Sequence, residues 1–222
     1  MKQPVNVNLP IHVVMMGVFS GFFMTSEQLN ELIALGHEQS GVEFKGHGSR
    51  TERPFFAIIA LAMLGMSNRR DGGRIIIGVG EDENNRPVRD PLNEHEIETW
   101  TYDDLANSID EYADPSVSFD FKIVEQKFVV ITVNEFIDVP VLCKRTYNNI
   151  LRKGACYVRP RRKPETTEIP SQADMRDLLD LALEKRLRKF LSEATKGGIQ
   201  FVLTKENDHS DQFLNQLKGF IS

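Results

Sequence analysis

The chain has 222 residues, and its 27 lysines and arginines against 32 aspartates and glutamates give a net charge of −5 and an isoelectric point of about 5.6. Its 41% hydrophobic and 27% charged residues are typical of a soluble globular protein and exclude collagen-like, low-complexity and wholly disordered chains. The acidic total excludes a histone-like protein but permits nucleic-acid binding, because charge can be segregated along a chain. Two cysteines, Cys143 and Cys156, are too few for a disulfide framework or a four-ligand zinc site, so we expect reduced thiols in a cytoplasmic protein.

The N-terminus carries an apolar run over residues 13–24. The run is shorter than the roughly 20 residues that span a bilayer as a helix. We therefore expect residues 1–23 to be an extension outside the main fold unit, with a membrane-targeting role or an ordinary element packed on the body as alternatives. A helix is predicted to begin at the capping residue Thr25 or Ser26 and to end at Gly36.

The next stretch predicts a strand, a buried helix and a second strand. Residues 42–45 alternate between apolar and polar side chains, which is the period of a strand. Residues 54–68 are apolar almost all round, so this helix should be buried. Residues 74–80 form a nearly continuous apolar run, which is typical of a strand that is covered on both faces.

The second half of the chain predicts shorter elements and one long helix. They are a helix over 102–113, a hairpin of strands over 117–124 and 128–136, and short strands over 139–142 and 155–159. Ser171 is expected to cap an amphipathic helix that reaches about residue 194. Its leucine-rich face is either a packing surface, which we favour, or a dimer face.

Together these elements predict an α/β chain of the α+β type, with a mixed, mostly antiparallel sheet, a buried helix and a C-terminal amphipathic helix. The expected division is an N-terminal extension over 1–23, the main domain over 24–170, the amphipathic helix over 171–196 and a C-terminal appendix over 197–222.

Charge is strongly polarised along the chain. Residues 80–125 contain 14 acids and 3 bases, whereas residues 144–163 contain 8 bases and no acid. Lysine and arginine displace condensed counterions from a phosphate backbone, and an aromatic ring can stack on a base. The basic block therefore predicts a nucleic-acid surface, with a solvated face that balances the acidic region as the alternative. The predicted contacts are Lys144, Arg145, Arg152, Lys153, Tyr157, Arg159, Arg161, Arg162 and Lys163.

Three motifs follow one another in the sequence. They are Glu38-x4-Glu43-Phe44-Lys45, then a helix ending in Asn68 with Gly72-Gly73 and an apolar strand through Gly78-Val79, and last Tyr157-Val158-Arg159 with a basic turn and Thr166-Thr167. In this order the motifs resemble the Schlafen/AlbA-type family of DNA-binding domains, over roughly residues 26–180. The resemblance implies an α/β nucleic-acid-binding domain.

The resemblance also implies a possible catalytic site, because some Schlafen proteins cleave RNA with two such glutamates and an aspartate in the acidic loop. Acids that follow the apolar strand could converge on the glutamates, and carboxylate oxygens are ligands for Mg²⁺ or Mn²⁺. Because Gly80 stands where the family often has an acid, the third ligand would be Glu81 or Asp82. The predicted catalytic residues are Glu38, Glu43, Lys45, Glu81 and Asp82, and the same four acids are the predicted metal ligands.

No nucleotide cofactor is expected, since the chain contains neither a Walker A sequence nor a dinucleotide-binding glycine fingerprint. We therefore expect a protein that binds RNA or DNA through the basic block. A metal-dependent endoribonuclease is the first alternative, and a protein-interaction or regulatory module is the second. A homodimer is a candidate assembly, and no membrane partner is expected.

Overall fold

The computed structural model of the protein describes residues 24–39, 41–160 and 165–198. Helices α1 to α5 are Ser26–Ala34, Arg53–Ser67, Glu94–Glu98, Tyr102–Asp110 and Gln172–Lys196. Strands β1 to β10 are Val42–Lys45, Gly73–Ile77, Val79–Glu81, Pro87–Arg89, Ala113–Asp114, Phe119–Val124, Phe128–Val133, Leu142–Cys143, Tyr157–Val158 and Thr167–Glu168. The predictions for residues 1–23, for Arg161, Arg162 and Lys163, and for residues 199–222 lie outside the described residues.

The largest sheet has four strands in the order β1-β2-β7-β6. β1 pairs with β2 in parallel, whereas the β2–β7 and β7–β6 pairs are antiparallel. The predicted fold class is therefore confirmed, because the described residues combine helices with a mixed, mostly antiparallel sheet. β1 is therefore an edge strand of this sheet, with β2 on one side of it.

Both faces of the four-stranded sheet carry buried apolar side chains. On one face, Ile76 and Val130 belong to a core cluster that also contains Met24 and Leu29, so α1 and Met24 cover this face. Because side chains alternate along a strand, Ile75 lies on the other face. α2 packs against β2 and β7, and ten of its 15 residues are buried, as its largely apolar sequence predicts.

One predicted strand is two strands in the structure. The apolar run over residues 74–80 is divided at Gly78, whose φ of +102° lies in a region that side chains rarely adopt. A Cβ atom there would lie 2.8 Å from the Phe128 ring. β2 therefore ends at Ile77, and β3 leaves the sheet to form a hairpin with β4.

The described residues also form three two-stranded sheets, β3–β4, β5–β8 and β9–β10. The predicted strands over 139–142 and 155–159 are only two residues long in the structure, as β8 and β9. The predicted helix over 102–113 ends earlier, at Asp110, because the chain turns there to form β5. Strands of two residues have no period that a sequence pattern can display, which explains these differences.

The described residues group into two units, which divide after Leu178, inside α5. Along α5, Leu178 and Leu181 are buried, whereas an apolar stripe is exposed. The stripe consists of Met175, Leu179, Leu183, Leu187, Phe190 and Leu191. Within residues 24–39, 41–160 and 165–198, no helix is long and apolar enough to cross a membrane. Both cysteines are free thiols.

Candidate functional site

The first motif lies at the edge of the main sheet, on and just before β1. Glu43 and Lys45 point to the same side of this strand, as the alternation of side chains requires. Lys45 Nζ lies 2.5 Å from Glu43 Oε1, and both side chains are largely buried. Burial lowers the pKa of Lys45, while the carboxylates of Glu38 and Glu81 oppose this shift. This pair is the first half of the candidate site.

Glu38 comes from the segment between α1 and β1 and folds back onto the strand. Its Oε1 atom accepts a hydrogen bond of 2.7 Å from the backbone N–H of Phe44. Its Oε2 atom lies 3.3 Å from the Nη2 atom of Arg159. The structure therefore brings Glu38 and Glu43 together, and a basic residue lies between them.

That basic residue, Arg159, follows β9 in the third motif, and only 1% of its side chain is exposed. Its Nη1 donates to Glu43 Oε2, while its Nη2 donates to Glu38 and to the backbone carbonyl of Val42, the latter at 3.0 Å. Desolvation lowers the pKa of the guanidinium, and Glu38 opposes this shift by its charge and its hydrogen bond. Arg159 is therefore an internal partner of the two glutamates and is not part of the exposed basic surface.

We call Glu38, Glu43, Lys45 and Arg159 the charge quartet. Two carboxylates and two cations give it a formal charge of zero, and each carboxylate oxygen has a partner in the protein. Buried charges are tolerated when they are paired and hydrogen-bonded, and every charge of the quartet has an opposite charge as its partner.

The remaining predicted acids do not join the quartet as ligands. Asp82 accepts hydrogen bonds from the backbone N–H groups of Asn84 and Arg86, which close an exposed turn and lower the pKa of Asp82. Glu81 is exposed at the end of β3 and acts on Lys45 only through its charge. In the part of the chain that the structure describes, no three acid, histidine or cysteine side chains are arranged to hold a metal ion.

An acid does stand beside Gly80, although residue 80 has no side chain of its own. A Cβ atom on Gly80 would lie 3.2 Å from Oδ2 of Asp90, so the Asp90 carboxylate fills the neighbouring space. The same oxygen accepts a hydrogen bond of 3.0 Å from the backbone N–H of His47. His47 Nδ1 in turn lies 2.8 Å from Glu96, and this contact, together with the charge of Asp90, raises the pKa of His47. Sequence patterns gave no signal for Asp90 or Glu96, because neither lies in a motif.

Four of the predicted nucleic-acid contacts lie on a second feature, which we call the basic hairpin, residues 144–153. Lys144, Arg145, Arg152 and Lys153 are all exposed. The hairpin is closed by a bridge between Tyr147 and Leu151 and, nearer its base, by a hydrogen bond of 3.0 Å from the Lys153 N–H to the Thr146 hydroxyl. These contacts hold the two ends together, so the four exposed bases lie close to one another at the two ends of one short hairpin.

Acids outside the basic hairpin engage two of its four bases. Arg145 pairs with Glu111, and Arg152 pairs with Glu168, whose Oε2 lies 3.1 Å from the Arg152 Nε. Within the described residues, Lys144 and Lys153 make no ion pair. Tyr157, by contrast, is buried, and its hydroxyl accepts a hydrogen bond of 2.8 Å from the Arg152 N–H, so its ring is not available for stacking on a base.

Asn68 connects the motifs, a role that its place at the end of α2 did not reveal. Its Nδ2 atom donates to the carbonyls of Val141 at 2.8 Å and Tyr157 at 2.9 Å, and its Oδ1 atom accepts from the Val141 N–H at 2.7 Å. All three hydrogen bonds are buried. They fix the chain just before the basic hairpin and two residues before Arg159, so one amide positions both features.

With this geometry in place, the chain can be compared with known proteins. The family model described as Schlafen, AlbA_2 matches residues 38–168, which is more than half of the chain. The chain belongs to the Schlafen AlbA_2 family. The resemblance of its three motifs to this family is thereby confirmed, and the match includes the charge quartet, Asn68 and the basic hairpin.

Two solved structures are similar to this Schlafen AlbA_2 chain at low identity. The DIP2311 protein of Corynebacterium diphtheriae is 19% identical with a TM-score of 0.39, and the match covers 64% of this chain and 26% of that one. The N-terminal domain of a putative ATP-dependent DNA helicase RecG-related protein of Nitrosomonas europaea is 18% identical with a TM-score of 0.36, covering 56% of this chain and 84% of that one. No curated protein matches the chain.

Proposed function

We propose that this chain binds RNA or DNA through the basic hairpin. The observation that carries the proposal is the exposure of four bases within ten residues, on a hairpin whose ends are joined by a hydrogen bond. Phosphate contacts are made by flexible lysines and arginines on such surfaces, and they supply most of the affinity for non-specific nucleic acid. Membership of the Schlafen AlbA_2 family agrees with a nucleic-acid role.

The two ion pairs of the basic hairpin do not prevent binding. Exposed ion pairs contribute only about 0–1 kcal/mol, so Arg145 and Arg152 can exchange Glu111 and Glu168 for phosphates at little cost. Lys144 and Lys153 need no such exchange. Each phosphate contact contributes about −0.9 to the slope of log K against log salt on duplex DNA, and about −0.7 on single strands. Lys144 and Lys153 alone therefore predict a contribution of roughly −1.8 on a duplex.

The test is a fluorescence anisotropy titration of a labelled duplex and a labelled single-stranded RNA, each over a salt series. The double variant Lys144→Ala/Lys153→Ala should bind at least about tenfold more weakly at low salt and lose roughly 1.8 units of slope on the duplex. The matched control, Arg86→Ala/Lys127→Ala, removes two exposed bases outside the basic hairpin and should leave the slope unchanged. Equal affinities and slopes for the two double variants would refute the proposal.

The metal-dependent endoribonuclease remains a prediction from the resemblance, and the residues present do not fit its metal site. The oxygens of Glu38 and Glu43 are engaged by Arg159, Lys45 and a backbone N–H, and Asp82 closes a separate turn. We therefore derive no cleavage step through a metal ion. The homodimer also stays a prediction, supported by the exposed apolar stripe of α5, and sedimentation of the full chain would test it.

A further inference from the structure

Glu38 and Glu43 are the obvious pair of acids for a divalent cation, yet an arginine lies between them. We propose that Arg159 is the resident cation of this carboxylate pair, so that the chain excludes Mg²⁺ and Mn²⁺ from Glu38 and Glu43 and gains a metal site only when Arg159 is removed. The proposal is independent of nucleic-acid binding, because the basic hairpin contains none of these residues.

The carboxylate oxygens of Glu38 and Glu43 are already bound by groups of the protein. Glu38 uses one oxygen for the Phe44 N–H at 2.7 Å and the other for Arg159 at 3.3 Å. Glu43 uses one oxygen for Lys45 at 2.5 Å and the other for Arg159. A divalent cation bound between the two carboxylates would need their oxygens at about 2.0–2.6 Å from itself. It would have to displace the guanidinium from the space between them.

The charge of the quartet also opposes metal binding. With Arg159 and Lys45 in place the quartet is formally neutral, so the pair of acids has no excess negative charge to attract a divalent ion. A cation entering beside the guanidinium would be repelled at short range, and the burial of Arg159 and Glu43 weakens the screening of this repulsion by solvent. Arginine keeps its charge at any ordinary pH, so this exclusion is permanent.

Arg159 holds the edge of the main sheet as well as the two glutamates. Its Nη2 atom also donates to the Val42 carbonyl at 3.0 Å, on the edge strand of the main sheet. One planar guanidinium thereby joins two carboxylates and a strand edge, using donors in a fixed geometry. The Arg159 Nε atom has no hydrogen-bond partner in the described part of the chain, which indicates that the side chain is placed by its outer nitrogens.

The test measures Mn²⁺ binding to the full chain by electron paramagnetic resonance, with thermal melting as a second readout. Wild type should bind no Mn²⁺ at this site up to millimolar concentration. Arg159→Met leaves the two acids without their shared cation, so its melting temperature without metal should be lower than that of wild type. It should bind Mn²⁺ at least tenfold more tightly than wild type, and Mn²⁺ should restore part of its melting temperature. In Arg159→Met/Glu43→Gln this binding should be lost.

Lys45→Met is the matched control, because it removes a cation of the quartet while Arg159 stays. It should not gain a Mn²⁺ site. A folded Arg159→Met variant that fails to bind Mn²⁺, or a Lys45→Met variant that gains the same binding, would overturn the proposal. If Arg159→Met does not fold, the wild-type protein decides the question. Mn²⁺ binding by wild type that disappears in Glu43→Gln would show that the arginine does not exclude metal and would overturn the proposal. No Mn²⁺ binding by wild type would agree with the proposal.

Discussion

Asn68→Ala is the substitution that tests the positioning of both candidate features at once. The asparagine amide makes three buried hydrogen bonds of 2.7–2.9 Å, to the N–H and C=O of Val141 and to the C=O of Tyr157. Alanine removes all three hydrogen bonds. The Val141 N–H and the Tyr157 carbonyl are left without a partner, and the Val141 carbonyl keeps only a contact of 3.9 Å with the Cys156 thiol. Each buried group without a partner costs about 1–3 kcal/mol. Because water can enter part of the space, we expect a loss of about 3–5 kcal/mol in the free energy of unfolding.

The measurement is urea unfolding followed by circular dichroism. Asn68→Asp should be destabilised at least as much as Asn68→Ala, because it keeps the acceptor for Val141 but turns a carboxylate oxygen towards two carbonyls. Asn134→Ala is the control, since the Asn134 amide makes an exposed hydrogen bond of 3.2 Å to Ser118 and should cost less than about 0.5 kcal/mol. A loss below about 1 kcal/mol for Asn68→Ala would refute this account of the residue.

Two further predictions concern a turn and a histidine. Gly72→Ala should lose more stability than Gly36→Ala in urea unfolding. Both glycines have a positive φ, +62° at Gly72 and +72° at Gly36, so the backbone strain of an alanine is similar at the two positions. A Cβ atom on Gly72 would also lie 2.0 Å from the Val133 carbonyl oxygen, whereas one on Gly36 would meet nothing within 4 Å. Similar losses would contradict the packing described at this turn. The hydrogen bond to Glu96 and the charges of Asp90 and Glu52 raise the pKa of His47 in the folded state. Protonated His47 therefore stabilises the folded protein fully below pH 6.5, and this contribution to the free energy of unfolding is lost as the pH rises through the folded pKa. Wild type should therefore lose more stability than His47→Gln between pH 5.5 and pH 8.5, and parallel stability curves would show that His47 does not contribute.

The main elements of the fold could be predicted because each has a pattern longer than one turn or two residue pairs. α2 is apolar all round and lies buried between other elements, and β6 and β7 form the hairpin that their short connection predicts. The division at Gly78 could not be predicted, because it depends on the packing of the Phe128 ring against a backbone position far away in the sequence.

The sequence indicated three members of the charge quartet, Glu38, Glu43 and Lys45, but assigned the fourth, Arg159, to the nucleic-acid contacts. The E-x4-E-F-K motif correctly suggested that Glu38 and Glu43 lie together, since a turn followed by a strand brings them to one side. The sequence could not reveal that Arg159, more than a hundred positions later, lies between them. A run of basic residues in the sequence does not indicate which of the side chains are exposed and which are buried. Only the fold distinguishes the buried Arg159 from the exposed Lys144 and Lys153.

The measurement that tests the central claim most directly is a ¹H–¹⁵N NMR titration of the full chain with a short RNA or DNA oligonucleotide at low salt. The account predicts that, among the described residues, the amide signals of residues 144–153 shift most. The amide signals of residues 42–45, which include Glu43 and Lys45 of the charge quartet, should remain nearly unchanged. Large shifts at residues 42–45 without shifts at residues 144–153 would contradict it, because they would place the nucleic acid on the carboxylate pair instead of on the basic hairpin.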